Sequence, residues 1–388
     1  MIVDIVFTLF FLLIGFNIKN LYNFSQEEKK LLTVLFIFHV LVCVAYIFIF
    51  GKVDGFFYWM APKQMEWMDL WSRVVDNPKP TQIMYLINFF PSNILQLSFP
   101  VGMFLYSVVG FWAFIFILLT IKSFIRNLSE LHQVTLLGIP LFPYIFLLPN
   151  MHFWSVAVGK DTLLFFSIAV IIYGLCNVRK RWFGILIGVS IAYFLRPHIL
   201  LFLAAGYGMA FLFSTKLNLF QKIAYAAVGA IIFFPLLANV LEFAKIEAFT
   251  TEHLDDFSSS KSSALSKAGS GVDFTNYPYP LKVLTFLFRP FFFDINGVPA
   301  FIASVENLIQ VFLLVFFFKN KSVKFILKSH IVIRTCFFYF MIGALAFAPV
   351  MSNLGIIIRE KNMLMPAFLI FILASVKFKM INHGNTPR

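Results

Sequence analysis

The stretch AYFLRPHILLFL, residues 192–203, sets an arginine and a histidine on either side of a proline, inside sequence that is otherwise almost wholly apolar from Trp182 to Phe213. A run of that length is too long for one membrane crossing of about 20 residues and suits two short ones. Pro197 lacks the backbone N–H that an inner helical turn needs, so it divides the run at Arg196. The reading that follows is of two short helices meeting at RPH, with Arg196 and His198 at or just below the membrane surface.

Composition extends this reading to the whole chain. Of the 388 residues 60% are hydrophobic and 13% charged, and 54 are phenylalanine, against roughly 25% charged in an ordinary soluble domain. The apolar runs are of helix-spanning length and lack the strict alternation of about ten residues that a membrane β-barrel strand shows. The expected fold class is therefore all-α, a polytopic transmembrane helical bundle forming one domain over 1–388. Eleven candidate spans follow, at about 2–17, 31–50, 97–121, 133–149, 162–178, 183–195, 199–213, 223–241, 298–318, 331–349 and 362–376. The stretches 83–96 and 281–293 read as re-entrant or interfacial. The first run has no basic flank and no small-residue cleavage site, so it reads as a retained helix. Cys43, Cys176 and Cys336 fall inside apolar runs without metal-ligand spacing and read as packing residues.

The net charge of +13 is mostly a topology signal. The connections 18–30, 122–132, 179–182, 214–222, 319–330 and the tail from 377 hold the majority of the Lys and Arg and only three acids, Glu27, Glu28 and Glu130. The alternate set, 51–82, 150–161, 196–198, 242–297 and 350–361, holds nearly all the other acids. By the positive-inside rule the first set is cytoplasmic and the second faces outward, which places the N-terminus outside and the C-terminus in the cytoplasm of an inner membrane. The basic face meets anionic lipid, so no nucleic acid need be invoked.

Two outer segments stand out. Residues 51–96 open with GKVDGFFYWMAPKQMEWMDLWSRVVDNPKP, rich in Trp, Met and Tyr, and read as amphipathic helices lying in the interface. The long segment 242–297 contains DDFSSSKSSALSKAGSGVDFTNYPYP (255–280), whose Ser and Gly content predicts a mobile loop.

Four short motifs lie at the outer ends of spans: NMHFWSVAVGKDT (150–162), LRPH (195–198), FRPFFFD (288–294) and IREKN (358–362). Charge at membrane depth is costly and tends to be kept for a function or a partner. Arg196 and Arg289 each stand directly before a proline in apolar sequence. The planar fork of arginine pairs with phosphate in bidentate fashion, so Arg196, Arg289, Arg359, Lys160 and Lys361 suit the phosphate or pyrophosphate of a lipid-linked donor. His198, with His152 and Asp161 in support, can carry a proton or add a donor. Asp54 stands just after the second span, where a carboxylate can orient an acceptor hydroxyl and take its proton. Plainer readings stand beside these. Lys160 and Asp161 would pair at a helix start, Arg359 and Lys361 would anchor a helix by snorkelling, His152 would belong to an aromatic belt, and Asp54 would cap an interfacial helix.

The segment VDGFFYWMAP (53–62) resembles the first outer loop of membrane glycosyltransferases of the GT-C type, with Asp54 and Tyr58 in the places of that loop's acidic and tyrosine positions. The interfacial helices after it and the span FPVGMFLYSVVG (99–110) are similar as well. The likeness covers about the first third of the chain, and here the acidic loop follows the second span, where the family places it after the first. The later part, with outward arginines and a histidine spread over several loops, resembles bacterial polysaccharide polymerases and O-antigen ligases. That likeness implies a polyprenyl-pyrophosphate-linked sugar donor held by Arg196, Arg289 and Arg359, a glycan acceptor, and sugar transfer at the outer face. No metal is required, and the arrangement leaves room for a divalent cation between Asp54 and a pyrophosphate. The competing expectation is a transporter or flippase of lipid-linked oligosaccharide, which would carry polar, broken-helix features near the bilayer midplane.

Overall fold

The computed structural model describes all residues except 1, 50–53, 126–127, 134, 137, 215–216, 245–250, 268–269, 273, 275, 321 and 385–388, so small parts of both long outer segments lie outside the described residues. Among the described residues the regular structure is helical, apart from one hairpin of two-residue strands and an isolated bridge between Gly271 and Asn353. Among the described residues five helices are long and apolar enough to cross a membrane: Ile2–Leu21, Gln26–Ile49, Phe99–Phe124, Leu219–Glu242 and Val298–Lys319. Shorter apolar helices run over Pro197–Leu212, Tyr279–Phe288, Ile331–Phe347 and Met365–Val376.

The break at RPH is where the sequence puts it. One helix ends at Leu195 and the next begins at Pro197, with Arg196 between them at φ −152°, ψ 80° and its N–H still donating to Ala192 O. Proline bars the residue before it from helical backbone and is itself at ease as the first residue of a new helix.

Two expectations fail. The candidate span 133–149 is not one helix. Residues Thr135–Leu136 and Ile139–Pro140 pair as an antiparallel hairpin, turning at Gly138 (φ 83°), and short turns follow at Leu141–Tyr144, Ile145–Leu147 and Pro149–Phe153. Pro140, Pro143 and Pro149 each remove a backbone donor, which hydropathy alone does not register. The Ser-rich segment, expected as a mobile loop, contains the helix Thr251–Ser266 and is tied down by side-chain hydrogen bonds described below.

Where the sequence reads as one domain, chain contacts group it into two compact units: residues 1–120 with 132–196, and residues 121–131 with 197–388. In the first unit the helices Lys160–Leu175 and Val178–Leu195 pack along their lengths, and Ser167 Oγ donates to Gly188 O across the seam at 2.6 Å. Trp59, Phe111, Phe114, Phe146 and Phe165 are fully buried. In the second unit Pro197–Leu212 lies against Ile331–Phe347. A Cβ at Gly206 would come within 2.8 Å of Tyr339 N, so only glycine allows that approach. Phe317, Phe337, Phe340, Phe368 and Phe371 interlock beneath it with centroids 5.2–5.9 Å apart.

Candidate functional site

In the first unit the candidate site is built around one close contact. Helix Asp54–Met60 begins with an exposed carboxylate, and the next residue, Gly55, lies so near the 154–159 loop that a Cβ there would stand 2.3 Å from Val158 O. The helix is pinned at its other end by Trp59, whose Nε1 donates to Leu97 O at 3.0 Å. Two residues beyond Val158 the helix Lys160–Leu175 starts, and Lys160 returns to the first element: its Nζ sits 5.2 Å from the Tyr58 ring centroid and 3.5 Å from Thr81 Oγ1. Asp161, in the first turn, pairs with Arg196 Nη2 at 3.3 Å, the two side chains being 14% and 13% exposed. Gly159 precedes that helix without a side-chain cap, and a carboxylate in the first turn complements the helix dipole. Tyr58 and Lys160 thus meet, Asp161 and Arg196 pair at the next position of the chain, and Asp54 stands at the start of the helix that Gly55 brings against the same loop. In the same unit, helix Trp67–Asp76 buries Leu70 and exposes Trp67, Met68 and Trp71, the pattern of a helix lying in a lipid interface.

His152 lies elsewhere in this unit. It is fully buried, stacks on Phe114 at 4.4 Å and places Nδ1 2.8 Å from Nδ1 of His39. His39 escaped the sequence reading because it sits in the apolar run LFIFHVLVCVAYIF, where an ionisable side chain at membrane depth was the available signal.

The second unit holds a separate polar knot. Arg289 forks onto Asp294, Nε to Oδ2 at 2.9 Å and Nη2 to Oδ1, and Asp294 also accepts from Phe291 N–H. The guanidinium lies 5.1 Å from the Phe274 ring and 5.3 Å from that of Phe293. Lys361 is 4% exposed; its Nζ donates to Leu287 O at 3.1 Å and to Asn307 Oδ1, while Asn307 Nδ2 donates to Pro290 O. The Lys361 ammonium is thereby committed to the Leu287 carbonyl and the Asn307 amide oxygen, and Asn307 in turn holds the Pro290 carbonyl. Burial pushes its pKa down to about 7, opposed in part by the Glu306 carboxylate. Arg359, half-buried, is two positions earlier on helix Leu354–Asn362, so it points about 160° away from Lys361. His198, second residue of its helix, packs edge-on to Phe202 and Phe347, and Phe347 touches Phe286, one turn before Arg289.

The Ser-rich segment is stitched to residues 349–355, which lead into the Arg359 helix. Ser258 Oγ donates to Pro349 O, Ser352 Oγ to Ser262 O and Ser270 Oγ to Asn353 Oδ1, and backbone bonds join Val272 N to Ser352 O and Leu354 N to Ser270 O. Among the described residues no three His, Cys, Asp or Glu side chains gather as a metal site. No family model matches the chain, and neither the curated proteins nor the solved structures contain a match to it.

Proposed function

We propose that the chain is a membrane glycosyltransferase or repeat-unit polymerase that moves sugar from a polyprenyl-(pyro)phosphate donor at the outer face of a cytoplasmic membrane. The observation that carries this reading is the approach of Gly55 to Val158, which brings the helix bearing Asp54 and Tyr58 against the loop that leads into Lys160 and Asp161. Arg196, oriented by Asp161, and Lys160 meet the donor phosphate. The anomeric C–O bond to phosphate breaks, the acceptor oxygen takes its place, and negative charge gathers on the departing phosphate, where positioned cations stabilise it most. Asp54 orients the acceptor hydroxyl and receives its proton. Asp54 is the residue that would hold a divalent cation, which would supply charge to stabilise the departing phosphate. Within their own unit Arg289 and Arg359 are candidates for pyrophosphate contact, with His198 as a proton carrier. The GT-C resemblance, the count of about eleven spans and the outward N-terminus belong to this proposal.

One observation favours the rival, a flippase of lipid-linked oligosaccharide. Glu306, Asn307 and Gln310 are buried on the spanning helix Val298–Lys319, polar groups at the depth where transporters keep them. Surface glycan and lipid-linked intermediates in cells carrying Asp54→Asn or Arg196→Ala separate the two. With protein level unchanged, loss of glycan and build-up of the lipid-linked sugar on the outer leaflet supports transfer. Build-up on the inner leaflet identifies a flippase, and unaltered glycan removes both residues from the mechanism.

A further inference from the structure

A cavity in the second unit, away from the Arg289 knot in sequence and chemistry, has the makings of an anion site. It encloses about 270 Å³ where the end of helix Pro197–Leu212 meets the start of Ile331–Phe347, and its polar wall comprises Ser214, Lys328, Ser329, His330 and Arg334. That volume is at the small end of ligand pockets, about 300–1,000 Å³, and suits a headgroup-sized fragment. None of the described lining residues is acidic.

Arg334 is the centre of the argument. It is 6% exposed in an apolar helix, and its Nη1 donates to Phe213 O at 3.3 Å and to Leu327 O at 3.2 Å. Its Nε, fully buried, has no partner. Among the described residues Arg334 bonds only neutral carbonyls, and a guanidinium so withdrawn from water is an expensive arrangement that an anion in the cavity it lines would offset. His330 lines the cavity and its Nδ1 accepts from Val332 N–H at 3.3 Å. The Ser329 hydroxyl proton goes to Ile326 O at 2.7 Å, so Ser329 is not a donor to the cavity. Lys328 supplies an exposed second cation at the rim. Phe211 lines the cavity on its apolar side, beside the polar groups. The flanking connections 214–222 and 319–330 are among the basic ones that the charge distribution assigns to the inner face, where anionic headgroups are found.

We infer that this cavity binds a phosphate group, held by Arg334 and Lys328. The inference does not rest on the glycosyl-transfer reading. The phosphate arrives either as the headgroup of a lipid such as phosphatidic acid or as free phosphate from solution.

The test uses the full chain in nanodiscs. In one arm, discs of phosphatidylcholine are titrated with inorganic phosphate; in the other, phosphatidic acid is added to the phosphatidylcholine. Thermal unfolding and native mass spectrometry of retained lipid are read in both. Stabilisation by phosphate alone assigns the free ion, and selective retention of phosphatidic acid assigns the lipid. In either case Arg334→Gln and Lys328→Ala should weaken binding by about tenfold, the worth of one charged hydrogen bond. Lys328 is exposed, so its variant remains informative even where Arg334→Gln fails to fold. No response in either arm, or an equal response in the wild type and Lys328→Ala, overturns the assignment.

Discussion

His39 Nδ1 and His152 Nδ1 lie 2.8 Å apart, and each ring turns its Nε2 to a backbone carbonyl, His39 to Ser107 O at 3.0 Å and His152 to Phe146 O at 2.7 Å. Both rings are fully buried. The pair is a tie between the Gln26–Ile49 helix, the Phe99–Phe124 helix and the turns that follow residue 140. Two neutral rings carry two N–H protons between them, so two of these three contacts are hydrogen bonds at any one time, and substituting either histidine by alanine strands at least one buried polar group, a loss of about 1–3 kcal/mol. The double variant should lose less than the sum of the singles, because the shared contact is counted once. Unfolding in detergent measures this; strictly additive losses would show that the rings are not coupled.

The approach of Gly55 to Val158 O gives a sharper test of the candidate site in the first unit. A methyl group at 2.3 Å from a backbone oxygen forces one element away from the other. Gly55→Ala should therefore destabilise the unit by about 1–3 kcal/mol, as overpacking does, and shift the Asp54 helix away from the loop that leads into Lys160. Gly208→Ala serves as the reference, since a Cβ there meets nothing within 4 Å, and replacing a helical glycine by alanine is neutral to favourable by up to about 1 kcal/mol. Equal folded yields of the two variants would mean that the contact is slack.

Arg289 and Asp294 share a two-point fork, with side chains 18% and 5% exposed. Arg289→Lys keeps the charge and loses both the fork and the flat face against Phe274 and Phe293, so it is not a conservative change. The expected loss is about 1.5–3 kcal/mol, the range for hydrogen bonds to charged groups. Asp294→Asn should cost a similar amount, and Phe274→Leu less. A lysine variant with wild-type thermal stability would assign the fork no structural weight.

How much of this was legible beforehand differs from residue to residue. The break at Arg196 could be read because Pro197 acts locally, within one turn, and run lengths report spans because the bilayer imposes them. The interruption of 133–149 was written in Gly138, Pro140, Pro143 and Pro149, but average hydropathy is blind to backbone donors. The order in the Ser-rich segment was not legible at all. Its hydrogen bonds run to Pro349, Ser352 and Asn353, about 90 residues away, and serine content alone reads the same in a tethered helix and a loose loop. In the first unit, Asp54, Lys160 and Arg196 were each visible as costly charges, while the approach of the Asp54 helix to the loop before Lys160 depends on a missing Cβ at Gly55, which no charge pattern reports. His39 was hidden by its neighbours, since one imidazole barely alters the hydropathy of a 24-residue helix.

Lys361 makes stability depend on pH in a direction that can be worked out. Its pKa in the folded chain is about 7, lowered by burial, and an unfolded lysine titrates near 10.4. Below pH 7 both states hold the proton, and the full cost of burying the charge is borne by the fold. Between pH 7 and about 10 the folded state has released a proton that the unfolded state still binds, so stability climbs with pH through that window. Lys361→Met removes the titration while filling much the same space. The wild type should therefore gain on Lys361→Met as pH is raised from 7 to 9.5, with the two curves parallel below pH 7. Unfolding midpoints of both proteins over pH 6–9.5 in one detergent give the comparison. Parallel curves throughout would mean that the Lys361 ammonium keeps its ordinary affinity for the proton, stabilised in place by Glu306, Asn307 and the Leu287 carbonyl.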